Sequence, residues 1–342
     1  MAIAALALGG ALGGTALAPA GASAHGPIAP VASSYLAKVT SAPAGFDAKA
    51  VDGDQRMWLR VRRRETVLVL DYRGAPYLRF SAAGVWVNHK SAMWFLNQTP
   101  VPETPPANLG PRTPPRWQLV SSGHDYSWHD GRLHALASVA LSPGARYVGA
   151  WRVPMVVDGR LSAVSGSLWH AAGPSIVWFW PIAVLLLCVI AAWRVRRPAL
   201  DRWVARVLAL AALAAIATAA FGRDLYGRPA VSVYQMIELG LILAFVVWML
   251  WRILSQRAGS FTYLAIALVA LWQGALLVPT LLDGFVLMDV PPFLARAAAV
   301  VDLAGGIGLL LMMFRLYEDE SKSSGQSVDE QERGDDSALE LA

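Results

Sequence analysis

Five apolar stretches set almost end to end constrain this chain more than any other feature. A bilayer core is crossed by about 20 helical residues. The segments 175–193, 203–221, 231–251, 261–281 and 292–314 each reach about that length with few charges. Only 15% of the 342 residues are charged and 56% are hydrophobic, whereas a soluble domain carries about a quarter charged residues. The deficit lies in the second half. Residues 174–315 read as a bundle of five transmembrane helices, and 25–173 as a separate, turn-rich domain.

Arginine placement predicts the orientation. With the first domain outside, the inner connections hold Arg194, Arg196, Arg197, Arg202, Arg206, Arg252, Arg257 and Arg315; the outer side holds Arg223, Arg228 and Arg296. Eight against three, under the positive-inside bias, predicts a multi-pass plasma-membrane protein with a cytoplasmic C-terminus. Residues 2–24 are small and apolar and end Ala22-Ser23-Ala24, the cleavage pattern of a signal peptide over 1–24. No Lys or Arg precedes that run, so an uncleaved anchor is the alternative. At the other end, 316–342 holds nine acids against Lys322 and Arg333. Such a segment buries too little to offset chain entropy and is expected to be a disordered tail.

The first domain is expected to be all-β. Runs such as Tyr35–Thr40, Arg56–Val61, Thr66–Leu70 and Tyr77–Phe80 are separated by Asp52-Gly53-Asp54, Arg62–Arg64 and Arg73-Gly74-Ala75-Pro76, which are turn signals. Asp158-Gly159, between two long apolar runs, predicts a two-residue hairpin. About seven short strands in this length point to an immunoglobulin-like β-sandwich. The segment 99–115, with seven prolines, reads as a long loop.

All six histidines fall in this first half. Three lie in Gly123-His124-Asp125-Tyr126-Ser127-Trp128-His129-Asp130-Gly131-Arg132-Leu133-His134. If Asp130-Gly131 is a hairpin turn, His129 and His134 become diagonal neighbours roughly 7–8 Å apart at the backbone. Asp125 shares their face, while Tyr126, Trp128, Leu133, Ala135 and Ala137 take the core side together with His124. Two imidazoles and a carboxylate suit Cu(II) or Zn(II), and a hydrogen-bonded polar face is the other reading. Cleavage after Ala24 would make His25 the mature terminus, whose amine and ring together suit copper. The only cysteine, Cys188, lies in the first span, so no intrachain disulfide forms.

Four polar residues inside the spans are expensive there: Gln235 and Glu238 in the third, Gln273 in the fourth and Asp302 in the fifth. Such residues face a bundle interior or water; Glu238 and Asp302 form either a proton or cation relay or simple interhelical bonds. No nucleophile elbow, phosphate loop or zincin helix is present, and no basic tract interleaved with aromatics marks a nucleic-acid site. The expected contacts are membrane lipid and either a metal ion or an envelope protein partner.

Two stretches, Asp52-Gly53-Asp54-Gln55-Arg56-Met57-Trp58-Leu59-Arg60 and Trp128-His129-Asp130-Gly131-Arg132-Leu133-His134, resemble a family of largely uncharacterised actinobacterial membrane proteins with an exported domain. Some relatives carry a third histidine where this chain has Gly131. In outline the chain is also similar to CopC–CopD copper-resistance fusions, an exported β-sandwich followed by a membrane bundle. That resemblance implies a Cu(II) site using an amino-terminal histidine, matched by His25, and an Asp-Gly-His, matched in part by Gly123-His124. The membrane half has no histidine, unlike CopD.

Overall fold

The structure, a computed structural model, describes residues 29–340 except 63, 99, 100, 143 and 196, and the backbone alone at 320 and 322–340. Residues 1–24, expected to be a signal peptide, and His25 lie outside the described residues. The chain divides into two compact units.

The first unit is built of β1 (Ala32–Ser33), β2 (Tyr35–Ser41), β3 (Asp47–Val51), β4 (Arg56–Arg60), β5 (Val67–Leu70), β6 (Pro76–Ser81) and β7 (Gly84–Asn88). A short helix α1 (Ala92–Leu96) follows, then β8 (Trp117–Ser121), β9 (Asp125–His129), β10 (Tyr147–Val157) and β11 (Arg160–His170). Two later connections, Arg228–Ala230 and Asp283–Leu287, belong to the same unit. The second of these contributes β12 (Phe285–Val286), which pairs with β1, and Ser34 Oγ donates to Asp283 Oδ1 at 2.7 Å.

The strands form an antiparallel sheet of seven in the order β2-β11-β10-β5-β6-β7-β8 and a second of three, β3-β4-β9. The two-sheet β architecture expected from the sequence is thus what forms. Period-2 alternation explains the core. Met57 and Leu59 of β4 and Trp128 of β9 share it with Val67, Leu78, Phe80, Val153, Met155 and Leu168 of the larger sheet. Each fully buried side chain of this size contributes roughly 1.5–3 kcal/mol of transfer free energy.

Turn chemistry separates the two Asp-Gly pairs. Asp158 and Gly159 take φ of 46° and 82°, the left-handed pair that a tight hairpin demands, and Val157 pairs with Arg160 across them. Asp130 instead has φ −134° and caps a 3-10 turn, Gly131–Leu133. The hairpin expected there does not form, because the Asp130 side chain bonds to the Arg132 backbone N at 3.2 Å and holds the turn closed. Ala135, expected on the core side, is exposed.

The second unit consists of α2 (Trp180–Arg194), α3 (Pro198–Asp224), α4 (Val233–Leu254), α5 (Ser260–Leu282) and α6 (Pro292–Glu340). Five segments, Ile176–Arg194, Pro198–Asp224, Val233–Leu254, Ser260–Leu282 and Pro292–Asp319, are long and apolar enough to cross a membrane. Small residues let the interior helices approach closely: Ala205, Ala209, Ala212 and Ala219 of α3, and Ala295, Ala299, Ala304 and Gly305 of α6, are buried. By contrast, α4 turns Val233, Leu241, Val247 and Leu254 outward, as a lipid-facing helix should. α6 runs on to Glu340, where composition predicts a disordered tail. A helix already nucleated by the span extends at little cost per residue, and its Glu, Gln and Ala residues are good helix formers.

Candidate functional site: the paired histidines

The site grows from the end of β9. Its register against β4 sets Asp125 opposite Arg60, Ser127 opposite Trp58 and His129 opposite Arg56. Trp128 points into the core, and its indole N–H donates to Asp130 Oδ2 at 2.9 Å. Asp130 is fully buried and is also held by Arg132, Nε to Oδ1 and Nη2 to Oδ2, both at 2.7 Å. The remaining guanidinium nitrogen, Nη1, donates to the Leu70 carbonyl at 2.9 Å. This bidentate pair is the strong form of a charge-assisted bond, and it fixes the path from β9 into the 3-10 turn.

Residues 70–75 brace the same corner. Asp71 accepts from the backbone N–H groups of Arg73, Ala75 and Ala92 and from Ser91 Oγ, all within 3.0 Å. Tyr72, next in sequence, accepts from Gly131 N at 2.7 Å and carries the Arg132 guanidinium over its ring at 5.2 Å. Burial, with the negative charge of Asp130 adding to it, pushes the Tyr72 hydroxyl up to about 12. On the other side, Asn97 Nδ2 donates to the His129 carbonyl at 3.0 Å and to Tyr77 Oη at 3.1 Å. Tyr77 also lies well above its ordinary value, chiefly through burial.

On this frame the rings of His129 and His134 sit side by side, with centroids 5.3 Å apart and planes inclined by 41°. His134 Nδ1 lies 3.3 Å from the Asp54 carbonyl. Asp54 itself is buried, which raises its carboxyl above the ordinary range; the positive charge of His134 partly offsets that. It comes from the turn joining β3 and β4, where Asp52 and Gly53 take positive φ and Asp52 pairs with Arg56 at 3.8 Å. The result is two imidazoles with a buried acid beside one of them.

The other sequence-predicted members go elsewhere. Asp125 shares the outward face of β9 but is four residues from His129, about 13 Å at the rise of a strand. Its Oδ2 accepts from Trp58 Nε1 at 3.2 Å. His124 precedes the strand and is half-buried; its carbonyl accepts from Val61 N at 2.9 Å. Among the described residues no group of three or more His, Cys, Asp or Glu is gathered closely enough to hold a metal ion. The sequence reading missed Asp54, Tyr72 and Asn97. Only Asp54 carried a signal, as part of the Asp-Gly-Asp turn.

In the membrane unit, Arg223 gathers three of the polar side chains. It donates to Asp224 Oδ1 at 2.9 Å and to Gln273 Oε1 at 3.1 Å, and forms an ion pair with Glu238. Gln235 is a capping residue: its side chain accepts from Ser232 N and its backbone N–H donates to Ser232 Oγ. Asp302 is different. It is fully buried, with neither carboxyl oxygen hydrogen-bonded, so no direct bond links it to Glu238.

Fold and helices together define a multi-pass membrane protein with a β-sheet domain. Compared with family models, with curated proteins and with solved structures, the chain finds no match.

Proposed function

We propose that this is an envelope membrane protein whose β unit faces outward and binds a transition-metal ion, Cu(II) in preference to Zn(II), through His129 and His134. One observation carries the reading: the two imidazoles lie together at 5.3 Å, on a turn held by a buried bidentate ion pair. Imidazole suits both ions, and the Irving–Williams order places Cu(II) above Zn(II) on the same donors. Asp54, beside His134, is the neighbouring carboxylate that would temper the charge of a bound cation. The arginine distribution supports the outward placement and a cytoplasmic C-terminus.

The test is calorimetric titration of the full chain in detergent with Cu(II) and, separately, Zn(II). The His129→Ala/His134→Ala protein should bind Cu(II) at least about tenfold more weakly, a difference of about 1.4 kcal/mol. Equal affinity in the two proteins would end the reading.

A second reading, a membrane-anchored module that docks an envelope protein, is favoured by β8. This strand closes one edge of the seven-stranded sheet, with Leu119 46% and Val120 38% exposed. An exposed apolar edge is a template for strand addition. Beside it, Arg79 lies between the rings of Trp86 and Trp117, 5.1 and 5.0 Å from their centroids. Photocrosslinking from position 119 in intact cells should trap one discrete partner on this reading.

A further inference from the structure

Asp302 sits within the last membrane-spanning segment, Pro292–Asp319. Three other acids within the spans have a cationic partner. Asp201 pairs with Arg315 at 3.1 Å, and Asp224 and Glu238 pair with Arg223. Among the described residues, Asp302 alone is fully buried with both oxygens unbonded.

The helices packed on α6 are α2, α3 and α5. From α3, Arg223 and Asp224 bond to each other, and Asp201 bonds to Arg315. From α5, the buried Tyr263 has a partner of its own, and Gln273 accepts from Arg223. α2 offers Cys188, which is exposed, and Arg194. On α6 itself, Arg296 donates to the Thr280 carbonyl at 2.9 Å. None of these bonds to Asp302.

The helices pack closely nearby. A methyl group added at Gly306, one turn on, would lie 2.7 Å from Leu271 Cγ; one at Gly274 would lie 3.0 Å from the Leu303 backbone. A hard cation needs several oxygen ligands, and no cluster of acids is gathered among the described residues. An unpaired carboxylate in such surroundings is strongly disfavoured against its neutral form. A single unbonded carboxyl without further ligands around it suits a proton rather than a metal cation.

We infer that Asp302 is a proton-binding site of the membrane unit, carrying its proton as a neutral carboxyl buried between α6 and the helices packed on it. This inference does not depend on the histidine pair.

Infrared spectroscopy of the full chain in lipid nanodiscs tests it. A protonated carboxylic acid carbonyl band should be present at neutral pH and lost in Asp302→Asn. Absence of the band in the wild-type protein, or its persistence unchanged in the variant, overturns the inference. A second measurement on the wild-type chain needs no variant to fold: reaction with the apolar reagent N,N′-dicyclohexylcarbodiimide. The acid proton passes to a carbodiimide nitrogen, the carboxyl oxygen adds to the central carbon, and acyl transfer to nitrogen leaves a stable N-acylurea. Peptide mapping should place the adduct on Asp302 at neutral pH, and an adduct found only on other acids counts against the assignment.

Discussion

Replacing Asp130 with alanine removes a buried acid that accepts four hydrogen bonds beside the histidine pair. Its carboxylate accepts from the Trp128 indole at 2.9 Å, the Arg132 backbone at 3.2 Å and two guanidinium nitrogens at 2.7 Å, with no exposure to solvent. Arg132 cannot simply swing into water, because its Nη1 is tied to the Leu70 carbonyl and its side chain is only 15% exposed. Removing one partner of a buried pair leaves an uncompensated charge and costs about 3–5 kcal/mol. For a unit of this size each kcal/mol lowers Tm by about 3–4 °C, so Asp130→Ala should melt on the order of 10–15 °C lower. Near-UV circular dichroism of the full chain in detergent reads this, since Trp128 reports on the same corner. A shift under about 3 °C, equivalent to less than about 1 kcal/mol, would refute the claim that this ion pair holds the site. Asp130→Ala/Arg132→Met should recover part of the loss, because an apolar replacement of both charges removes the orphan. His129→Ala and His134→Ala leave this ion pair intact and should each cost less stability than Asp130→Ala.

Gly166→Ala should destabilise the β unit by about 2–3 kcal/mol, because the new methyl meets the Trp151 ring and the Lys38 carbonyl; chemical unfolding checks it. Raised native values for Tyr72, Tyr77 and Tyr126 mean that the folded state resists phenolate formation. For Tyr72 that contribution is complete below its ordinary value of 10 and is lost as pH rises through about 12. Stability should therefore fall across that window, less steeply in Tyr72→Phe, with phenolate absorbance lagging behind that of the unfolded chain. In the bundle, Glu238→Gln should lower the melting temperature in detergent less than Asp224→Asn does, since Arg223 then keeps Asp224 and Gln273.

Features set by length and composition were legible in the chain. Span positions follow from apolar runs of bilayer length, and all five helices lie over the predicted segments. The β10–β11 hairpin was legible because the bonds between Asp158 and Thr66 leave the left-handed turn that Asp-Gly prefers in place. The same dipeptide at 130–131 was misread because Trp128 and Arg132, two residues either side, claim the aspartate side chain, and this side-chain bonding overrides turn propensity. His129 and His134 were expected as neighbours and are neighbours, but over a 3-10 turn rather than across a ribbon. Asp54 was out of reach because it arrives from 80 residues away. Composition alone also treated Glu238 and Asp302 alike. What separates them is helix register: one reaches Arg223 and the other reaches nothing.

The placement of the histidines has a consequence for binding. A flexible pair would lose side-chain and backbone freedom on capturing a ligand, and that ordering cost weakens affinity. Here the residues that precede and follow each ring are already committed: Trp128 and Asp130 flank His129, Leu133 is buried before His134, and Asn97 and Tyr72 fasten the backbone on either side. The ordering is therefore done during folding of the β unit, by bonds that no ligand supplies. Destabilising that corner should weaken Cu(II) binding even though the altered residue touches no imidazole. Asp130→Asn, which keeps the side-chain shape and one acceptor for Trp128, should lower affinity less than Asp130→Ala does. The affinities of the two variants should rank with their stabilities, and a lack of such ranking would separate the metal reading from the fold that presents it.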